Sequence, residues 1–132
     1  MLCGMKVGNL SLIASVNHAT DTLGLYRAEL ARILGLNCPD VSDSHNLKLL
    51  FESNTAIRSK AELFIRFFLL LETVFHNDTV LMVNWFRREN AELGTTPFLA
   101  MVDYEQLSDV VDLLQEATTR LNSDADSTSN QS

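Results

Sequence analysis

The sequence predicts an all-α fold, a compact bundle of about six or seven helices. Three observations carry the prediction. Apolar residues recur at steps of three and four in several stretches, only two prolines and five glycines interrupt the 132 residues, and a capping motif opens onto a long apolar run. The apolar fraction of 46% and charged fraction of 20% suit one globular unit with its own core, and the length is too short for two ordinary domains.

Leu10, Ile13, Asn17, Thr20 and Leu23 suggest a first helix, although Leu10 to Val16 alone also reads as a strand. Tyr26 to Leu34 contains good helix formers, and Gly35 stands where a helix ends. Ala31 is small and Gly35 permits a tight turn, as two steeply crossing helices require, so residues 1–58 are expected to form a helix-turn-helix-like part. The segment after that turn would be the recognition helix. There Ser42, Ser44, His45, Asn46 and Lys48 are the candidate DNA contacts. Asp40, Asp43 and Glu52 oppose the single Lys48, and carboxylates repel phosphate, so scaffold use of this shape is favoured over DNA binding. Surface exposure is the simpler reading of His45, and a base contact the sharper one.

Ser59-Lys60-Ala61-Glu62 has the form of a capping box, which predicts a helix start at Ser59 and a C-terminal part over residues 59–121. The run that follows, to Phe75, is apolar nearly all round and is expected to be buried on several sides. A central helix wrapped by its own chain is the simpler use of Phe64, Phe67, Phe68 and Leu71; a homodimer through them is the alternative. This run is too short for a bilayer span and contains Arg66 and Glu72. His76-Asn77-Asp78 reads as a turn, with Asp78 capping the helix that carries Trp85.

Helical periodicity then meets a Gly94-Thr95-Thr96-Pro97 break, where Gly94 suits a positive φ, Thr96 an N-cap and Pro97 the first helical turn. Trp85 and Phe86 before the corner face Phe98, Leu99 and Met101 after it. Leu107, Val110, Val111, Leu114, Ala117, Thr118 and Leu121 define the buried stripe of a closing helix, with Asp109, Asp112 and Glu116 on its other face. Residues 122–132 offer a single apolar side chain, Ala125, and are expected to be a disordered tail.

The charge of −7 is unevenly spread: residues 1–60 carry six Lys/Arg against five Asp/Glu, and residues 61–121 four against ten. The acidic half is therefore an unsuitable nucleic-acid surface. Cys3 and Cys38 are too few for a disulfide framework, and MLCGMKVG lacks the features of a signal peptide, which points to the cytoplasm. His18, His45 and His76 lack metal-ligand spacing, and neither a phosphate-binding glycine loop nor a nucleophile elbow occurs. No metal, cofactor or catalytic residue is expected.

The run Val83-Asn84-Trp85-Phe86-Arg87-Arg88-Glu89-Asn90-Ala91-Glu92-Leu93-Gly94-Thr95-Thr96-Pro97-Phe98-Leu99, followed by Val110-Val111-Asp112-Leu113-Leu114, resembles the toxin-binding domain of the MbcA/ParS/Xre antitoxins. Arg27-Ala28-Glu29-Leu30-Ala31-Arg32-Ile33-Leu34-Gly35 resembles the helix-turn-helix part of the same family. Glu89 stands where that family usually has a proline, and the Gly94 corner is one residue short and lacks its arginine. The resemblance implies a binding protein and not an enzyme: an antitoxin that covers the active-site pocket of an NAD-consuming RES-domain toxin. Predicted exposure at the corner and final helix then nominates Arg87, Arg88, Glu92, Thr95, Asp103, Asp109, Asp112 and Glu116 for toxin contact. A DNA-binding autoregulator and an adaptor with neither DNA nor toxin partner are the rival readings.

Overall fold

The computed structural model describes residues 8–36 and 44–131. Among them are seven helices: α1 (Gly8–Leu23), α2 (Arg27–Leu34), α3 (Ser44–Ser53), α4 (Thr55–Val74), α5 (Thr79–Phe86), α6 (Pro97–Val102) and α7 (Leu107–Gln131). The fold is all-α, as periodicity and the scarcity of helix breakers predict. No helix among the described residues is long and apolar enough to cross a membrane.

In α1 the stretch that also read as a strand is helical, and Ile13, Val16, Ala19, Thr20 and Leu23 are buried at helical spacing. The Thr20 hydroxyl donates to the Val16 carbonyl at 2.7 Å, so its burial leaves no donor unsatisfied. The next helix, α2, starts where the Tyr26 N–H donates to Glu29 Oε1 at 2.9 Å. It ends at Gly35, whose φ of +77° lets the Leu36 N–H reach the Ala31 carbonyl at 2.7 Å. A Cβ on Gly35 would stand 3.0 Å from Lys60 Nζ. Gly35→Ala is expected to lower unfolding free energy by about 1–2 kcal/mol in urea titrations, mainly through left-handed backbone strain. The same loss should persist in a Lys60→Ala background, because the lysine tip is free to move aside.

The central helix departs from its predicted start. It begins at Thr55, with the Asn54 side chain accepting from the Ile57 N–H at 3.2 Å. Ser59 and Glu62 lie inside the helix, where Glu62 pairs with Arg58 at 3.4 Å instead of closing a capping box. Asn caps as well as Ser, and Thr55 to Arg58 hold no breaker, so the helix starts at the earlier cap. A boundary between residues 58 and 59 consequently falls within α4. One buried cluster joins residues from both sides of that boundary, from Ile13 to Leu114.

Helix α4 lies at the centre, against α1, α2, α3, α5 and α7. Phe64, Phe67, Phe68 and Leu71 are buried, as a central helix wrapped by its own chain requires. Phe67 stacks on Phe64 at 6.2 Å between centroids and meets Phe86 at 5.8 Å, and Phe86 meets Phe98 edge-on at 5.5 Å. This file of rings ties α4 to α5 and α6.

His76 and Asn77 turn the chain with φ of +53° and +64°, and Asp78 caps α5 by accepting from the Leu81 N–H at 3.2 Å, as expected. Helix α7 buries Leu107, Val110, Val111 and Leu114. It then continues to Gln131, through the stretch where composition predicts a disordered tail. Extending an existing helix needs no new nucleus, which lets polar residues follow the core-facing turns.

Candidate functional site

The corner between α5 and α6 is shaped by local hydrogen bonds. Periodicity suggested that the helix carrying Trp85 runs up to Gly94, but α5 stops at Phe86. Asn90 explains the early stop. Its side chain accepts from the Glu92 N–H at 2.9 Å, and its backbone pairs with Thr95 through Asn90 N–H to Thr95 C=O, also 2.9 Å. Gly94 does take a positive φ, +73°, but it closes this turn rather than the helix. Thr96 and Pro97 behave as expected: the Thr96 hydroxyl accepts from the Leu99 N–H at 3.0 Å, and Pro97 occupies the first turn of α6.

Trp85 is half-buried against Phe75, with centroids 6.3 Å apart, and so packs as a lone corner tryptophan should. Arg87 follows a different course from its neighbour. Its guanidinium lies 4.1 Å from the Phe98 ring centroid and donates to the Gly24 carbonyl at 3.3 Å. It thereby joins the α1–α2 link to the corner, 63 residues away in the chain. Arg88 is exposed. Arg87→Ala is expected to cost about 1–2 kcal/mol in denaturant titrations, from the lost cation–π contact and hydrogen bond. Arg87→Lys should recover less than half, since a point charge does not stack as a planar guanidinium does.

Four of the nominated residues converge. Glu92 from the corner and Asp109, Asp112 and Glu116 from α7 border a depression of about 230 Å³, with Leu93, Gln106 and Leu113 completing it. Spacings of three, four and seven on one helix bring the α7 carboxylates into line, and the Asn90 turn carries Glu92 up to them. Glu116 also contacts Arg120 at 3.5 Å. Thr95 lines an adjoining depression of about 240 Å³ with Leu93, Gly94, Tyr104 and Gln106. Leu93 and Gln106 are common to both, so Thr95 and the carboxylates belong to one continuous face. Tyr104, 60% exposed, was missed from sequence. Its signal was an aromatic residue in a short polar link.

Asp103 does not join this face. It pairs with Arg32 at 2.9 Å and lines a separate cleft of about 410 Å³ between α2, α4 and the start of α7. Successive residues of the first turn of α7 divide the two: Leu107 and Ser108 look into the Arg32 cleft, Asp109 into the acidic depression.

Of the candidate DNA contacts, Ser42 lies outside the described residues, as do the side chains of Ser44, His45 and Asn46 in α3. Lys48 is half-buried, while Leu47 and Phe51 of the same helix enter the core. Among the described residues no three His, Cys, Asp or Glu side chains are grouped to hold a metal ion. No protein-family model matches the sequence, and no curated protein matches it.

Proposed function

We propose that this chain is a binding protein of the antitoxin type, not an enzyme, and that it neutralises an NAD-consuming RES-domain toxin by covering the toxin's active-site pocket. The observation that carries the reading is the convergence of Glu92, Asp109, Asp112 and Glu116 on one exposed face beside the Gly94 corner. The family resemblance rests on this same segment, with α5, the corner and α7 as its three parts.

The chemistry is complementary. A site that takes NAD must accommodate an anionic pyrophosphate, and such sites present cations or backbone N–H groups to it. A row of carboxylates suits the same surroundings, so an acidic face laid over the pocket is attracted by what attracts the dinucleotide. Leu93, Leu113 and Tyr104 add apolar area beside the charges. Arg87 and Asp103 serve the fold in this scheme, through Phe98 and Arg32 respectively.

The test is co-expression of the tagged chain with the products of its neighbouring reading frames, followed by a high-salt wash and mass spectrometry. Recovery of a RES-domain protein whose NAD consumption is lost in the complex is the expected result. Recovery of this chain alone would reject the antitoxin reading.

A further inference from the structure

The Arg32 cleft of about 410 Å³ stands apart from the acidic face, and its lining is of two kinds. Ile33, Leu63, Met101, Val102 and Leu107 give it an apolar wall, and all but the half-buried Leu63 belong to the buried core. Arg32, Lys60, Asp103 and Glu105 carry its charge. The cleft falls where α2 and α4 meet the end of α6 and the start of α7, so segments from both halves of the chain form it. Its volume is within the range of small-molecule sites, which favour such junctions.

The four charges are not equivalent. Arg32 and Asp103 answer each other at 2.9 Å. Lys60 and Glu105 have no ion pair among the described residues. The Lys60 ammonium does not extend away from the protein: its Nζ stands 3.0 Å from where a Cβ on Gly35 would be, at the end of α2 that borders the cleft. Glu105 is set in place by its backbone. Its φ of +52° is in the left-handed region that a residue with a Cβ adopts only at a cost, and the Gln106 N–H, donating to the Ala100 carbonyl at 2.8 Å, pins the link beside it. One cation and one anion are thus left on the rim of an apolar cleft. A purely anionic ligand would meet Glu105, and a purely cationic one Lys60. A ligand with both charges and an apolar body answers both and buries that body against the wall.

We propose that this cleft binds a small zwitterion with an apolar body, of the class of a free apolar amino acid, with its carboxylate at Lys60, its ammonium at Glu105 and its side chain against Leu63, Met101 and Leu107. The ligand joins α2 and α4 to the α6–α7 link, so its binding stabilises the folded chain by mass action. The inference does not rest on the toxin reading.

Titration of leucine, methionine and phenylalanine into the full nitrogen-labelled chain, followed by amide NMR, is the test. At least one of the three is expected to give saturable shifts at the Gly35, Leu63 and Ser108 amides at concentrations on the order of 1–10 mM. For the one that binds best, N-acetylation of its amine or amidation of its carboxylate should each weaken binding at least about tenfold. The variants should cross with these analogues. Lys60→Met should abolish the preference for the free acid over the amide and keep the preference over the N-acetyl form, and Glu105→Gln should do the reverse. Both side chains are exposed, so circular dichroism should stay unchanged in each variant. No saturable shift with any of the three, shifts confined to other parts of the chain, analogues that bind as tightly as the parent, or variants that leave both preferences intact would each overturn the proposal.

Discussion

Phe67→Ala is expected to lower unfolding free energy by about 3–5 kcal/mol. Phe67 is fully buried on the central helix and contacts the rings of Phe64 and Phe86. Its removal opens a void where α4 meets α5, and Phe86 loses the ring that backs it against Phe98. Because Phe98 sits at the start of α6, the damage should extend to the corner. Thermal unfolding followed by circular dichroism should show a midpoint lowered on the order of ten degrees. Phe67→Leu, which keeps most of the volume, should cost less than half as much. A loss below about 1 kcal/mol for Phe67→Ala would show that α4 is not the packing centre.

Combined Asp109→Lys, Asp112→Lys and Glu116→Lys substitutions are expected to reduce affinity for the proposed toxin partner by about a hundredfold or more, because a complementary charge row becomes a repulsive one. Stability should change much less. All three side chains are exposed, and the contributions at stake are the favourable position of Asp109 at the N-terminal turn of α7 and the exposed Glu116–Arg120 pair, each worth under about 1 kcal/mol. Asp103→Asn is the matched control. It breaks the Arg32 pair in the other cleft and should leave partner affinity within about twofold, for a stability cost of at most about 1 kcal/mol. Titration calorimetry with the co-purified partner separates the two outcomes. Unchanged affinity in the triple variant would remove the acidic face of α7 from the interface.

The elements with strong local signals were legible in the sequence. The spacing of Leu107, Val110, Val111 and Leu114 located the buried stripe of α7, Gly35 the end of α2, Asp78 the start of α5, and Thr96-Pro97 the start of α6. Each depends on a few adjacent residues, and a local rule suffices. Where two local signals competed, sequence reasoning chose the wrong one. Asn54 outranked Ser59 as the cap of α4, and the Asn90 side chain ended α5 well before Gly94.

The sequence by itself determined an all-helical chain and the row of carboxylates at Asp109, Asp112 and Glu116, because periodicity and charge are properties of neighbours along one helix. Only the tertiary structure decided which charges act together. Asp103 is six residues from Asp109 yet faces Arg32 in a different cleft, Glu92 comes to the α7 row through a turn, and Arg87 crosses to Gly24 and Phe98. Those contacts join segments distant in sequence, so they depend on how the helices pack around α4. No residue's spacing from its neighbours specifies that packing.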